Sequence, residues 1–227
     1  MERDASATGP VVAVRGEVFY EVPPDIATFS VTASAFSKDR QEVLQELTDR
    51  VGSLREVLDA YADAISERAT GGMSMNVVTK RDSEKVGGYR ASVTTTVTVH
   101  DFTVLGDLML RLGDHARTAL SGPWWALRPG SPVHREARTA AVGDAVARAR
   151  EYAEALGARV VGLIELSDIG LGGRPDAMPR AMTLAGHSQW EKETPQLDLE
   201  PQRQQVRTAV EARFLISEAT VLSEPPA

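Results

Sequence analysis

The sequence predicts an α+β fold, a mostly antiparallel sheet with helices packed on it. Three observations carry the prediction: runs in which apolar residues alternate with polar ones, runs in which they recur every three or four residues, and Gly- or Pro-bearing breaks between them. In chain order these read strand, strand, helix, strand, strand, helix, strand, helix, strand, long loop, strand, a pattern of hairpins and helices that suits an α+β arrangement.

Residues 11–22, VVAVRGEVFYEV, form a first strand with Gly16 as a bulge or a point of close approach. Pro23-Pro24-Asp25 breaks it, and residues 26–35 alternate, with Ala27, Phe29, Val31, Ala33 and Ala35 on one face and Thr28, Ser30, Thr32 and Ser34 on the other. The short break predicts an antiparallel hairpin. From Asp39 the period turns helical, with Asp39 and Glu42 spaced as an acidic relative of the capping box. Leu44, Leu47, Val51, Leu54, Leu58, Tyr61 and Ile65 continue in steps of three and four. That spacing fits a coiled-coil seam to another subunit or a helix laid on its own sheet.

Thr70-Gly71-Gly72 punctuates the chain, and Met73, Met75 and Val77 begin another strand. Residues 89–100 alternate, with Tyr89, Ala91, Val93, Thr95, Val97 and Val99 facing one way and a threonine-rich set the other. Threonine propensity favours a solvated outer face over packing on a second sheet. Asp101 caps a shorter helix with Phe102, Leu105, Leu108, Met109 and Leu112 as its stripe, and residues 117–128 are extended with a kink at Gly122-Pro123. Ser131-Pro132 starts the longest helix, Gly157 stops it, and its apolar face is Val133, Ala137, Ala141, Ala145, Ala149, Tyr152 and Leu156. Alanine brings a helix close to its neighbour, and the strand that follows Gly157 is the expected partner. Val206, Thr208, Val210, Ala212, Phe214 and Ile216 alternate in a final strand.

The chain has 227 residues, enough to bury a core, and is 42% hydrophobic and 25% charged. Its 25 basic and 32 acidic residues give a net charge of −7, which repels phosphate backbones and argues against a nucleic-acid partner. There is no cysteine, hence no disulfide, thiolate nucleophile or Cys-ligated metal. No run reaches the roughly 18 apolar residues of a membrane helix, so no membrane insertion is expected. The opening decapeptide is polar and lacks a leader-like apolar run, which predicts a cytoplasmic protein.

Four blocks resemble the SIMPL domain of bacterial proteins: VRGEVFYEVPPDIATFSVTASA at the start, YRASVTTTVTVHDFTVLGDLMLRL, EARTAAVGDAVARAREYAEALGARVVGLIELSD and VRTAVEARFLIS. The resemblance covers about residues 11–218. It implies a single SIMPL-like domain over 11–218; the residues themselves, rich in Gly, Pro, Met and charge without a clean period, predict a flexible insertion at about 170–204, longer and more polar than the family leads one to expect, and a disordered 1–10 and a tail at 219–227 flank the domain. The resemblance also implies a ring- or channel-like homo-oligomer in at least one type of relative, links to oxidative stress and immunogenicity, and an envelope setting for many members. The missing leader-like run departs from that setting. No catalytic residues come with the resemblance.

Chemistry-bearing residues are scattered. His100, His115, His134 and His187 each stand alone in their elements, so no metal site is expected, and there is no nucleophile elbow; Gly170-Leu171-Gly172-Gly173 follows a strand but is followed by no helix pattern and no Lys-Ser/Thr pair, so it reads as a hinge rather than a phosphate cradle. No cofactor is expected. Trp124 and Trp125 are neighbours on a strand and point to opposite faces. The candidate interface residues are therefore Leu47, Leu54, Trp124 and Trp125, with a second copy of the chain as the expected partner. This reading is of a non-enzymatic, self-assembling protein, a scaffold or binding component with a stress-related setting. The alternative is an enzyme or small-ligand binder whose pocket is closed by the 170–204 loop, with Asp176, His187 or Trp190 reaching inward.

Overall fold

The computed structural model describes residues 9–79, 85–168, 197 and 199–222. Its elements are β1 (Val11–Val22), β2 (Ile26–Ser37), α1 (Arg40–Asp59), β3 (Ile65–Thr79), β4 (Val86–Val99), α2 (Leu105–Gly113), β5 (Thr118–Ala126), α3 (Pro132–Ala155), β6 (Val160–Asp168) and β7 (Gln204–Ile216). The architecture is α+β, as the periodicity predicts, but the strands form two sheets, ordered β1-β7-β6 and β3-β4-β2-β5. Each sheet belongs to one of two compact units.

The first unit holds β1, α3, β6 and β7. Its core is built from Val14 of β1, Ala141, Ala145 and Ala149 of α3, and Val210, Ala212 and Phe214 of β7. Ala137, Ala141, Ala145, Ala149 and Ala153 are all fully buried, an unbroken row at four-residue spacing. Gly16 explains why the row is alanine: a Cβ at that position would lie 2.0 Å from the Ala141 carbonyl oxygen and 2.5 Å from the Ala145 nitrogen. The close approach expected of Gly16 is thus to the backbone of α3. The helix packs chiefly on β1, not on the β6 strand that follows it: its backbone lies against Gly16 of β1, whereas a Cβ on Gly162 of β6 would meet nothing within 4 Å. Tyr152 and Leu156, expected on the apolar face, are exposed, and Ala153 takes the buried place.

Both ends of α3 are informative. At Gly157, φ is 65°, and the amides of Gly157 and Ala158 donate to the carbonyls of Glu154 and Ala153, each at 2.8 Å. This is a Schellman stop, in which glycine takes the left-handed conformation at no steric cost. At the other end the expected serine cap does not form. The Ser131 hydroxyl is buried without a hydrogen-bond partner, and only its carbonyl accepts, from the His134 amide at 3.2 Å. Pro132, whose missing amide would have had no partner within the helix, begins it.

The second unit holds β2, α1, β3, β4, α2 and β5. The hairpin expected between β1 and β2 is absent. Pro23 and Pro24 provide no amide hydrogens and hold the chain extended, so it does not turn back on β1. Instead β2 pairs antiparallel with β4 in a register that sets Ala27 opposite Val99 and Ala35 opposite Ala91. The other edge of β2 pairs antiparallel with β5. β3 runs straight through Gly71-Gly72, which produce a register shift between Thr70 and Met73 and do not end the strand. β3 also begins at Ile65, so α1 stops earlier than the heptad spacing suggests. Gly122 has a φ of 112°, and a Cβ there would sit 3.0 Å from Phe29 Cα, so the kink in β5 requires glycine.

α1 and α2 cover one face of this sheet. Val43, Leu47, Leu54 and Leu58 from α1 and Leu105, Leu108, Met109 and Leu112 from α2 meet Phe29, Val31, Val97 and Val99. Asp39 caps α1 by accepting from the Gln41 and Glu42 amides at 2.7 and 3.1 Å. The return arm of the capping box passes through Ser37, whose hydroxyl donates to Glu42 at 2.6 Å and accepts from the Asp39 amide at 3.2 Å.

Candidate functional site

Leu47 and Leu54 lie in the core of the second unit, where the sheet of their own chain covers them. The three-and-four spacing of α1 therefore serves packing within the unit. Trp124 and Trp125 do point to opposite faces: Trp125 packs on the core with its ring 4.9 Å from Phe102, edge to face, while Trp124 is 53% exposed. Asp176, His187 and Trp190, and with them the glycines at 170–173, lie outside the described residues.

Among the described residues no three His, Asp or Glu side chains come together as a metal site. The ionisable clusters that do form tie elements together. Tyr61, just past α1, donates its hydroxyl to Asp107 of α2, and Arg111 Nε sits 3.1 Å from Asp107 Oδ2 with its guanidinium 5.5 Å from the Tyr61 ring. That hydrogen bond lowers the Asp107 pKa, while desolvation, followed by the same carboxylate, raises that of Tyr61. Glu46 is likewise held low by its hydrogen bond from Arg50, which also donates to the Ala116 carbonyl. Asp101 is held low by the Thr103 hydroxyl and amide at the start of the turn before α2.

The surface that stands out is apolar and belongs to β6. Leu163 and Leu166 are in register with Phe214 and Ala212 of β7, both buried in the core of the first unit. Yet Leu163 is 58% and Leu166 47% exposed, as are Val161 and Ile164 in part. The cause is the position of α3: drawn to β1 by Gly16, it leaves β6 without cover. Among the described residues β6 is also an edge strand of its sheet, and a sheet edge presents backbone donors and acceptors beside its side chains. The strand after Gly157 is the partner the sequence leads one to expect for α3, yet the helix settles on β1. Gly16 was the available signal.

The polar side of the same sheet is a shallow depression of about 400 Å³ lined by Arg15, Glu165, Ser167, Glu211 and Arg213. Its charges are largely paired, Arg15 with Glu17 at 2.9 Å and Arg213 with Glu165 at 3.7 Å.

The sequence model of the SIMPL family, described as a protein of unknown function (DUF541), matches residues 12–214, from the first strand of the first unit to its last. The chain belongs to the SIMPL family. Two SIMPL-like relatives, each named 26 kDa periplasmic immunogenic protein, come from Brucella melitensis biotype 1 and Brucella abortus strain S19. Each is 27% identical over 175 residues, which is 70% of this chain and 66% of the relative. The chain thus spans about two thirds of the length of the curated relatives it matches. These names overturn the cytoplasmic location expected from the polar N-terminus, since both relatives are periplasmic by name. A polar opening decapeptide was too local a signal to decide a compartment. No helix among the described residues is long and apolar enough to cross a membrane.

Proposed function

We propose that this SIMPL protein is a non-enzymatic, self-assembling component of the periplasm, where its assembled form acts as a scaffold or binding platform. The observation that carries the reading is the uncovered apolar edge strand β6, with Leu163 and Leu166 on the side of the sheet that α3 leaves open. An exposed edge with apolar side chains is a template for pairing with another chain. A second copy is the natural occupant, because the same strand supplies matching backbone groups and matching side chains. The periplasmic setting is supported by the names of the two relatives. A stress-related role, implied by the resemblance, is tested by peroxide survival of a strain lacking the gene.

The test of assembly is solution mass by light scattering. The wild-type chain is expected to form a discrete oligomer, and Leu163→Lys with Leu166→Lys to give folded protomers with unchanged circular dichroism. A monomeric wild-type chain, or an oligomer indifferent to both substitutions, would sink the reading. Fractionation of cells expressing the full gene checks the compartment independently.

A further inference from the structure

The face of the second unit's sheet opposite its helices is made of hydroxyls. β2 and β4 set Thr28 opposite Thr98, Ser30 opposite Thr96, Thr32 opposite Thr94 and Ser34 opposite Ser92. β3 adds Ser74 beside Ser92, and β5 adds Ser121 beside Ser30 and Trp124 beside Thr28. The hydroxyls bond in pairs, Thr32 with Thr94 at 2.8 Å, Ser74 with Ser92 at 2.9 Å and Thr28 with Thr98 at 3.3 Å. Within such a pair one proton lies between the oxygens while the second proton and further lone pairs stay available. The row therefore repeats both donors and acceptors, at steps of about 7 Å along each strand.

One end of the row opens into a depression of about 510 Å³ lined by Thr32, Ser34, Phe36, Arg90, Ser92 and Arg117. Arg90 lies over the Phe36 ring, 5.9 Å from its centroid. Among the described residues neither Arg90 nor Arg117 is in an ion pair; the acid that senses Arg117, Glu46, is already bonded to Arg50. Arg117 has a φ of 58°, a conformation uncommon outside glycine. Its carbonyl accepts from both the amide and the hydroxyl of Ser34, at 3.0 and 3.1 Å, and its Nη1 donates to the Phe36 carbonyl at 3.4 Å. A strained backbone so fastened at the rim of a depression is a mark of a positioned side chain. At the other end of the row, about 20 Å away by the strand rise from Ser34 to Thr28, Trp124 offers an exposed flat ring.

We propose that this face binds an acidic oligosaccharide, with an anionic group held between Arg90 and Arg117, hydroxyls along the Ser/Thr row and one ring on Trp124. Two guanidiniums without carboxylate partners suit an oxyanion. The alternating donors and acceptors suit a polyol, and the indole suits the apolar face of a sugar ring. The site is independent of the β6 assembly reading and stands or falls separately.

Calorimetric titration of the full chain tests it with five probes: tetragalacturonate, uncharged cellotetraose, galacturonate, inorganic sulfate and hexaglutamate. Tetragalacturonate is expected to bind at least about tenfold more tightly than any of the others, and to weaken with added salt. Arg90→Gln and Arg117→Gly should each weaken it by about tenfold, the usual scale for one charge-assisted contact. Glycine suits the backbone at residue 117, so that variant should melt no lower than wild type. Trp124→Ala should weaken the tetramer and leave galacturonate unchanged. The proposal is overturned if tetragalacturonate does not bind, if cellotetraose matches it, or if both arginine variants bind as wild type. Sulfate binding as tightly as the tetramer would mark a simple oxyanion site, and tighter binding of hexaglutamate an acidic-peptide site; either result replaces the saccharide.

Discussion

The two units solve the same problem, a helix on a sheet, with opposite side chains. In the first, α3 presents alanines to a strand that contains Gly16, and backbones approach until a single added carbon would collide. In the second, α1 and α2 present leucines to a sheet of phenylalanine, valine and alanine. Small side chains fix position tightly but bury little apolar area each. Large ones bury more and tolerate small shifts. The consequence is a difference in what each sheet exposes. The alanine helix follows its glycine to β1 and leaves β6 open, whereas the leucine helices bury the inner face of β2 and much of β4 and leave Met73 and Val77 of the edge strand β3 exposed together with the hydroxyl face.

Three changes test that contrast. Phe29→Ala should have the largest effect, destabilising the second unit by about 3–5 kcal/mol through the cavity it leaves among Val31, Val97 and Leu105. Urea denaturation reads the loss, and hydrogen exchange should place it in β2, β4 and β5. If exchange rises equally in β7 and α3, the two units do not open separately. Gly16→Ala comes next, at about 1–3 kcal/mol, because the new carbon must push α3 away from β1. Its exchange signature should fall on residues 137–149; an unchanged melting curve would mean that the helix moves freely and the close approach does not hold it. Asp39→Ala should cost about 1 kcal/mol by exposing the first amides of α1, with Asp39→Ser restoring most of it. A full loss in the serine variant would show that the link through Ser37 and Glu42, and not the cap itself, sets the stability.

Much of the fold was legible because its signals are local. Asp39, Gly157 and the alternation of residues 89–99 each declare an element through the chemistry of a few neighbours, and all three act as expected. The opposed faces of Trp124 and Trp125 follow from strand geometry alone. The misreadings lie where the outcome depended on distant residues. Pro23-Pro24 looked like a hairpin turn, yet β1 pairs with a strand nearly two hundred residues later in the chain. A choice rather than a misreading was left by the leucines of α1, which suited a subunit seam as well as a core; Leu47 and Leu54 lie in the core of their own unit, and spacing alone does not distinguish the two.

By itself, then, the amino-acid sequence determined which stretches are helix and which are strand, the cap at Asp39 and the stop at Gly157, and most of the residues on each apolar face. Only the tertiary structure decided which strand α3 packs on, and hence that Leu163 and Leu166 stay exposed while Leu47 and Leu54 do not. It also brought Arg90 and Arg117, 27 residues apart, to one end of a hydroxyl row. The physical reason is that periodicity records whether a side chain prefers burial, while the partner that buries it is selected by fit between backbones far apart in the chain.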